Sequence, residues 1–163
     1  MTRGLTGGCQ CGAVRYRLNG EATNPHICHC RMCQKAFGSF FAPLVGVDDA
    51  EFEITRGQIS VFSSSGETDR GFCARCGTPL RFKYRDAPRI SVSIGSLDRP
   101  YLVTPRDQCG TESRLPYFSE LAGLPEARTT EEEDPVRTAR IRVTSHQHPD
   151  HDTAQWPPVS PDS

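Results

Sequence analysis

The chain has 163 residues and a mass of 18.0 kDa, enough for one ordinary domain and no second catalytic module. Nineteen basic against twenty acidic side chains leave a net charge of −1, without the electrostatic footprint of a nucleic-acid binder or of a protein held on an anionic membrane. No run nears the ~18 apolar residues of a membrane span, and residues 1–8 hold no apolar stretch of the signal-peptide kind; a cytoplasmic location is expected.

In chain order, residues 13–18 predict a strand with Val14, Tyr16 and Leu18 on one face and Arg15 and Arg17 on the other. Residues 31–37 predict a short helix or turn. Residues 40–47 predict a strand that contains Pro43, and so lies at a sheet edge or begins after the proline. Residues 52–55, 59–63, 80–84 and 90–94 predict further short strands, punctuated by Gly57, Gly66, Gly77 and Gly95. A second short helix or turn falls at 116–122. The expected fold is mainly β, a small domain of short antiparallel strands with few short helices. At 36% hydrophobic residues its core needs a staple.

Residues 127–163 differ in composition. They hold five of the 13 prolines, the acidic run 131–134 and no cysteine, with four basic against seven acidic side chains. Only Val136, Ile141, Val143, Trp156 and Val159 could bury much apolar surface there. The division predicted is one folded domain over 4–126 and a proline-rich acidic extension over 127–163. The extension is read as mobile, with one short strand at 139–143 and with His146, His148 and His151 solvated.

The distinctive number is eight cysteines, all between Cys9 and Cys109. Without a secretion signal, metal or thiol chemistry explains them better than a disulfide framework. Seven fall in three clusters: Cys9-Gln10-Cys11-Gly12, Cys28-His29-Cys30-Arg31-Met32-Cys33 and Cys73-Ala74-Arg75-Cys76-Gly77. The third is a knuckle whose two thiolates reach one tetrahedral ion, with Gly77 allowing the tight turn. Spacing leaves two pairings open. Cys9 and Cys11 can join Cys28 and Cys30 across 16 intervening residues, or the third cluster across 61. The second cluster then either contributes to the first site or stands as a trio whose fourth corner comes from His26, His29, Cys109, water or substrate. A closed fourth corner makes a structural site; an open one makes a Lewis acid.

The segments from Gly7 to Tyr16, from Cys28 to Lys35 and from Phe72 to Gly77, with Thr111-Glu112-Ser113-Arg114-Leu115-Pro116-Tyr117, closely resemble the glutathione-dependent formaldehyde-activating enzyme family, which also includes centromere protein V-like proteins. The resemblance covers about residues 4–120. It implies a β-tent fold and the long-range pairing, with Cys9, Cys11, Cys73 and Cys76 on a structural zinc and Cys28, Cys30 and Cys33 on a second, catalytic zinc. Two zinc ions per chain, a small thiol such as glutathione as partner, and a carbon–sulfur lyase-type reaction giving S-hydroxymethylglutathione follow from it. A non-catalytic zinc module that binds a partner is the alternative. Gln108 stands where the family often has histidine, and Tyr117 where tryptophan is common. Beside the clusters, Arg31, Lys35 and Arg75 are candidates to offset thiolate charge or hold carboxylates, and Phe37, Phe40 and Phe41 read as core.

Overall fold

The computed structural model describes residues 4–128 and 134–157. Glu131, Glu132, Glu133 and Val159 lie outside the described residues. Strands β1 (Leu5–Gly8), β2 (Arg15–Leu18) and β5 (Phe52–Arg56) form a three-stranded antiparallel sheet in the order β1-β2-β5. The second sheet contains β3 (Thr23–Cys28), β4 (Ala42–Asp48), β6 (Ser60–Ser63), β7 (Thr68–Phe72), β8 (Pro79–Tyr84), β9 (Arg89–Ser93) and β10 (Asp107–Cys109). Its order is β10-β3-β4-β9-β8-β7-β6. The helices are α1 (Arg31–Phe37) and α2 (Pro135–Val143). The mainly β class expected from the short alternating segments is the observed one. One pairing departs from the antiparallel rule: β10 runs parallel to β3 and sets Cys109 opposite Cys28.

Alternation places the core. Val14, Tyr16 and Leu18 are all buried, and with Leu5 they share one cluster with Val45, Val47, Leu80, Ile90 and Val92 of the large sheet. Each such side chain contributes ~1.5–3 kcal/mol when fully buried. Cys9 and Cys73 sit inside this cluster, with Cys11 and Cys76 packed against it. Cys28 and Cys33 form a smaller cluster with Ala42 and Leu44. Each cysteine set therefore closes an apolar cluster.

Strand β4 is internal, between β3 and β9. Pro43 is tolerated because pairing with β9 begins at Leu44, past the residue that lacks an N–H. Residues 116–122 yield only a 3-10 turn, Phe118–Gly123. The strand expected at 139–143 is instead the end of α2. Asp134 caps that helix by accepting from the Arg137 N–H at 2.8 Å, and Pro135 opens it. That pair is a helix start signal, which outweighs the β-branched residues downstream.

Arg15, assigned by alternation to the polar face, is 2% exposed. Its guanidinium donates to Asp98 at 2.8 and 2.6 Å and to Asp152 at 3.0 and 2.8 Å. Asp152 belongs to the extension, of which residues 147–156 run back over the small sheet. The His148 N–H donates to the Gln10 carbonyl at 2.7 Å, Trp156 Nε1 donates to the Cys11 carbonyl at 2.6 Å, and Arg56 donates to the Thr153 carbonyl. His148 is therefore buried and not solvated.

Candidate metal centres

The first centre is built from two turns. After β1, the Gly12 N–H donates to the Cys9 carbonyl at 3.0 Å. Gly12 has φ +75°, and a Cβ there would collide with the His148 ring, so only glycine fits. Between β7 and β8, the Gly77 N–H closes on the Cys73 carbonyl at 2.9 Å. Thr78 Oγ1 accepts from the Gln10 N–H at 3.0 Å and ties the turns together. The sulfurs of Cys9, Cys11, Cys73 and Cys76 all lie within 4.8 Å of one another. The Cys9–Cys11 and Cys11–Cys73 separations are 3.6 and 3.9 Å. A tetrahedral ion with ~2.3 Å bonds to sulfur requires ~3.8 Å, so the set fits zinc. Of the two pairings that spacing left open, the long-range one is brought together.

The second centre lies at the end of β3 and the start of α1. Cys28, Cys30 and Cys33 have their sulfurs within 4.8 Å of one another. Cys30 caps α1, its sulfur accepting from the Cys33 N–H at 3.4 Å. Buried Gln34 holds the loop by donating to the His29 carbonyl at 2.8 Å and the Ser113 carbonyl at 2.9 Å. The His29 N–H bonds the Cys109 carbonyl at 2.8 Å. Gly110, at φ +63°, presses so closely that a Cβ would stand 2.6 Å from the Cys30 nitrogen. The 108–113 segment thus forms the wall that positions the trio.

His26, His29 and Cys109 do not join the trio's sulfur cluster. His26 Nδ1 lies 2.8 Å from the Asn24 carbonyl. His29 is fully buried, with Nε2 2.9 Å from Gln108 Oε1 and its ring edge-on to Phe118 at 4.6 Å. Phe41 packs in this aromatic group, whereas Phe40, expected in the core, is 43% exposed against Tyr117. Arg75 stacks 4.5 Å over Trp156. Arg31 and Lys35 stand exposed on α1.

Burial dominates the thiol chemistry. It pushes Cys9 and Cys33 up to about 12 and Cys28 up to about 11. Burial also opposes ionisation at Cys76, but hydrogen bonds from Thr78 and Cys11 outweigh it and bring that thiol down to about 6. A bound cation would have to displace protons from the raised thiols. The trio has one further neighbour that sequence reasoning missed. Arg70 of β7, 8% exposed, donates through an Nη to Cys33 Sγ at 3.6 Å and stacks 5.1 Å from the Phe82 ring centre. Residues 68–72 lack an apolar alternation that would have marked Arg70 as inward-facing.

Two sheets that meet at a four-cysteine set, with a separate cysteine trio at the end of β3, each set able to hold a metal ion, define a β-rich metal-binding class. The chain belongs to the glutathione-dependent formaldehyde-activating enzyme family, whose description matches residues 4–113. A Halomonas elongata protein provisionally named glutathione-dependent formaldehyde-activating enzyme is 36% identical over 86 residues, 47% of this chain. The match spans 54% of that relative, about half its length. A crystal structure of a Rhodobacter sphaeroides protein shares the fold with a TM-score of 0.52 at 20% identity, covering 63% of this chain and 98% of the other. Among the described residues no helix is long and apolar enough to cross a membrane.

Proposed function

We propose that the protein is a zinc-dependent enzyme of the carbon–sulfur lyase type that joins a thiol such as glutathione to formaldehyde. In this reading Cys9, Cys11, Cys73 and Cys76 hold a structural zinc, and Cys28, Cys30 and Cys33 hold a catalytic one. Residues 4–126 are the metal-binding unit and 127–163 its extension. The observation that carries the reading is the separate trio of sulfurs, short of a four-cysteine cage and walled by the 108–113 segment. In the reaction the thiol sulfur forms a bond to the aldehyde carbon, the C=O π bond breaks, and the thiol proton ends on the new hydroxyl of S-hydroxymethylglutathione.

Zinc, when bound, supplies Lewis acidity that favours the ionised form of an incoming thiol. The chain's own residues set the conditions for that chemistry. Three thiolates carry more negative charge than one divalent cation neutralises, and Arg70 against Cys33 offsets the excess. The Cys33 N–H does the same for Cys30. Gln34 and Gly110 hold the loop rigid, so the acceleration expected is mainly one of positioning. Cysteines free of disulfides suit a reducing compartment such as the cytoplasm.

Exchange NMR on glutathione and labelled formaldehyde at equilibrium tests the proposal. The zinc-loaded protein is expected to speed interconversion with the adduct, and the stripped protein to leave the uncatalysed rate. Equal rates in both would favour the binding-module alternative.

A further inference from the structure

Seven of the eight cysteines make up the two centres, and Cys109 belongs to neither. It is exposed, and β10 fixes its place: the parallel register sets it directly beside Cys28, the first cysteine of the trio. The His29 N–H on the Cys109 carbonyl at 2.8 Å and Gly110 against the Cys30 backbone hold that register. Aligned residues of neighbouring strands point to one face, with the strands ~4.8 Å apart. That spacing lies inside the ~4.4–6.8 Å between Cα atoms that a disulfide spans. Burial is the main cause of the raised Cys28 thiol, and the Cys109 thiol is close enough to add to it. The four-cysteine centre is sheltered by contrast, with Cys9 and Cys73 buried in the main core.

We propose that Cys109 and Cys28 are a redox pair through which a hydroperoxide disarms the trio. Exposed Cys109 meets the oxidant first. Its sulfur attacks one peroxide oxygen, the O–O bond breaks, and a sulfenic acid and one water result. The Cys28 sulfur then attacks the sulfenic sulfur, the S–S bond forms, the S–O bond breaks, and the hydroxyl takes up a proton and leaves as a second water. Two thiols are oxidised by two electrons and one hydrogen peroxide is reduced to two waters. The bridge withdraws one of the trio's three sulfurs, so an ion held there is released while the four-cysteine centre keeps its own. A disulfide at an exposed strand edge is of the readily reduced kind, and two equivalents of a small thiol restore both cysteines and end as a disulfide themselves. The proposal rests on the reading of the trio as a metal site and adds a control on its occupancy.

The zinc-loaded full chain treated with hydrogen peroxide tests this by two readouts. Tandem mass spectrometry of unreduced peptides is expected to place a bridge between Cys28 and Cys109. A chromophoric chelator is expected to report about one zinc ion released per chain, regained after dithiothreitol and fresh zinc. Cys109→Ser, an exposed position at which the fold is expected to persist, should release zinc roughly tenfold or more slowly at the same peroxide concentration. The proposal is overturned if Cys109→Ser releases zinc as fast as the parent, if the parent's bridge joins cysteines of the trio to one another, or if Cys109 is oxidised without a bridge. A Cys28–Cys109 bridge that forms in a chain holding only the four-cysteine ion would support the pair and remove the trio's metal. Two ions per chain with no bridge would do the reverse.

Discussion

Arg15 and Asp98 form the most buried ion pair among the described residues, with side chains 3% and 6% exposed. Burial opposes ionisation of Asp98, but bonds from Arg15 and Thr6 outweigh it and hold the carboxyl below its usual range. The stability this supplies is therefore fully present above the ordinary carboxylate pKa of ~3.9 and is lost as the pH falls through the lower folded value. Asp98→Asn leaves Arg15 with Asp152 alone, and a loss of about 3 kcal/mol at pH 7 is expected. Urea unfolding at several pH values should show that gap narrow below pH ~4, where the parent protein loses the same contribution. At this scale the cysteines were legible because metal ligands declare themselves by type and spacing. Arg15, Arg70 and His148 were not, because their burial depends on partners distant in sequence.

Strand β10 carries only three residues, yet it aligns the trio. Its parallel pairing with β3 puts the 108–110 backbone against Cys28, His29 and Cys30. Gly110→Ala adds a methyl group into the Cys30 backbone at a positive φ, which costs ~1–3 kcal/mol in strain alone. We expect this variant to fold, to hold the ion at the four-cysteine centre, and to bind zinc at the trio at least tenfold more weakly, read by competition with a chromophoric chelator. Undiminished affinity at the trio would show that β10 does not position it. Strands with an apolar alternation, such as β2 and β9, could be read from sequence. Strand β3, interrupted by Pro25 and by Asn24 at φ 48°, and strand β7, Thr-Asp-Arg-Gly-Phe, could not. Their strand character comes from neighbours in the sheet, which override weak local preference.

For the molecule as a whole, the segment 147–156 changes what the extension does. It places His148 over Gly12, Trp156 on the Cys11 carbonyl and Asp152 on Arg15, all beside the four-cysteine centre. Composition suggested a free tail because its acidic and proline-rich character hid these single anchoring residues. A chain ending at residue 145 is expected to lose roughly 2–4 kcal/mol and to release zinc to a chelator faster from the four-cysteine centre, with release from the trio unchanged. Trp156 is the sole tryptophan, so its fluorescence in the full chain reports undocking before global unfolding. A truncated chain with the parent melting temperature and release rates would mean that the docked segment contributes nothing to the centre it covers.

The Cys33→Ser variant, with Cys76→Ser as its counterpart, separates the roles of the two centres. A structural zinc contributes folding free energy outright, ~10–16 kcal/mol in small zinc-finger peptides, and the four-cysteine centre joins chain segments 61 residues apart. The trio spans six residues and cross-links little chain. Circular dichroism, zinc content and adduct formation should therefore show Cys33→Ser folded, with about one zinc ion and no acceleration of S-hydroxymethylglutathione formation, while Cys76→Ser unfolds. A folded Cys33→Ser protein that accelerates the reaction as the parent does would remove the trio from the chemistry, and equal collapse of both variants would make the second centre structural as well.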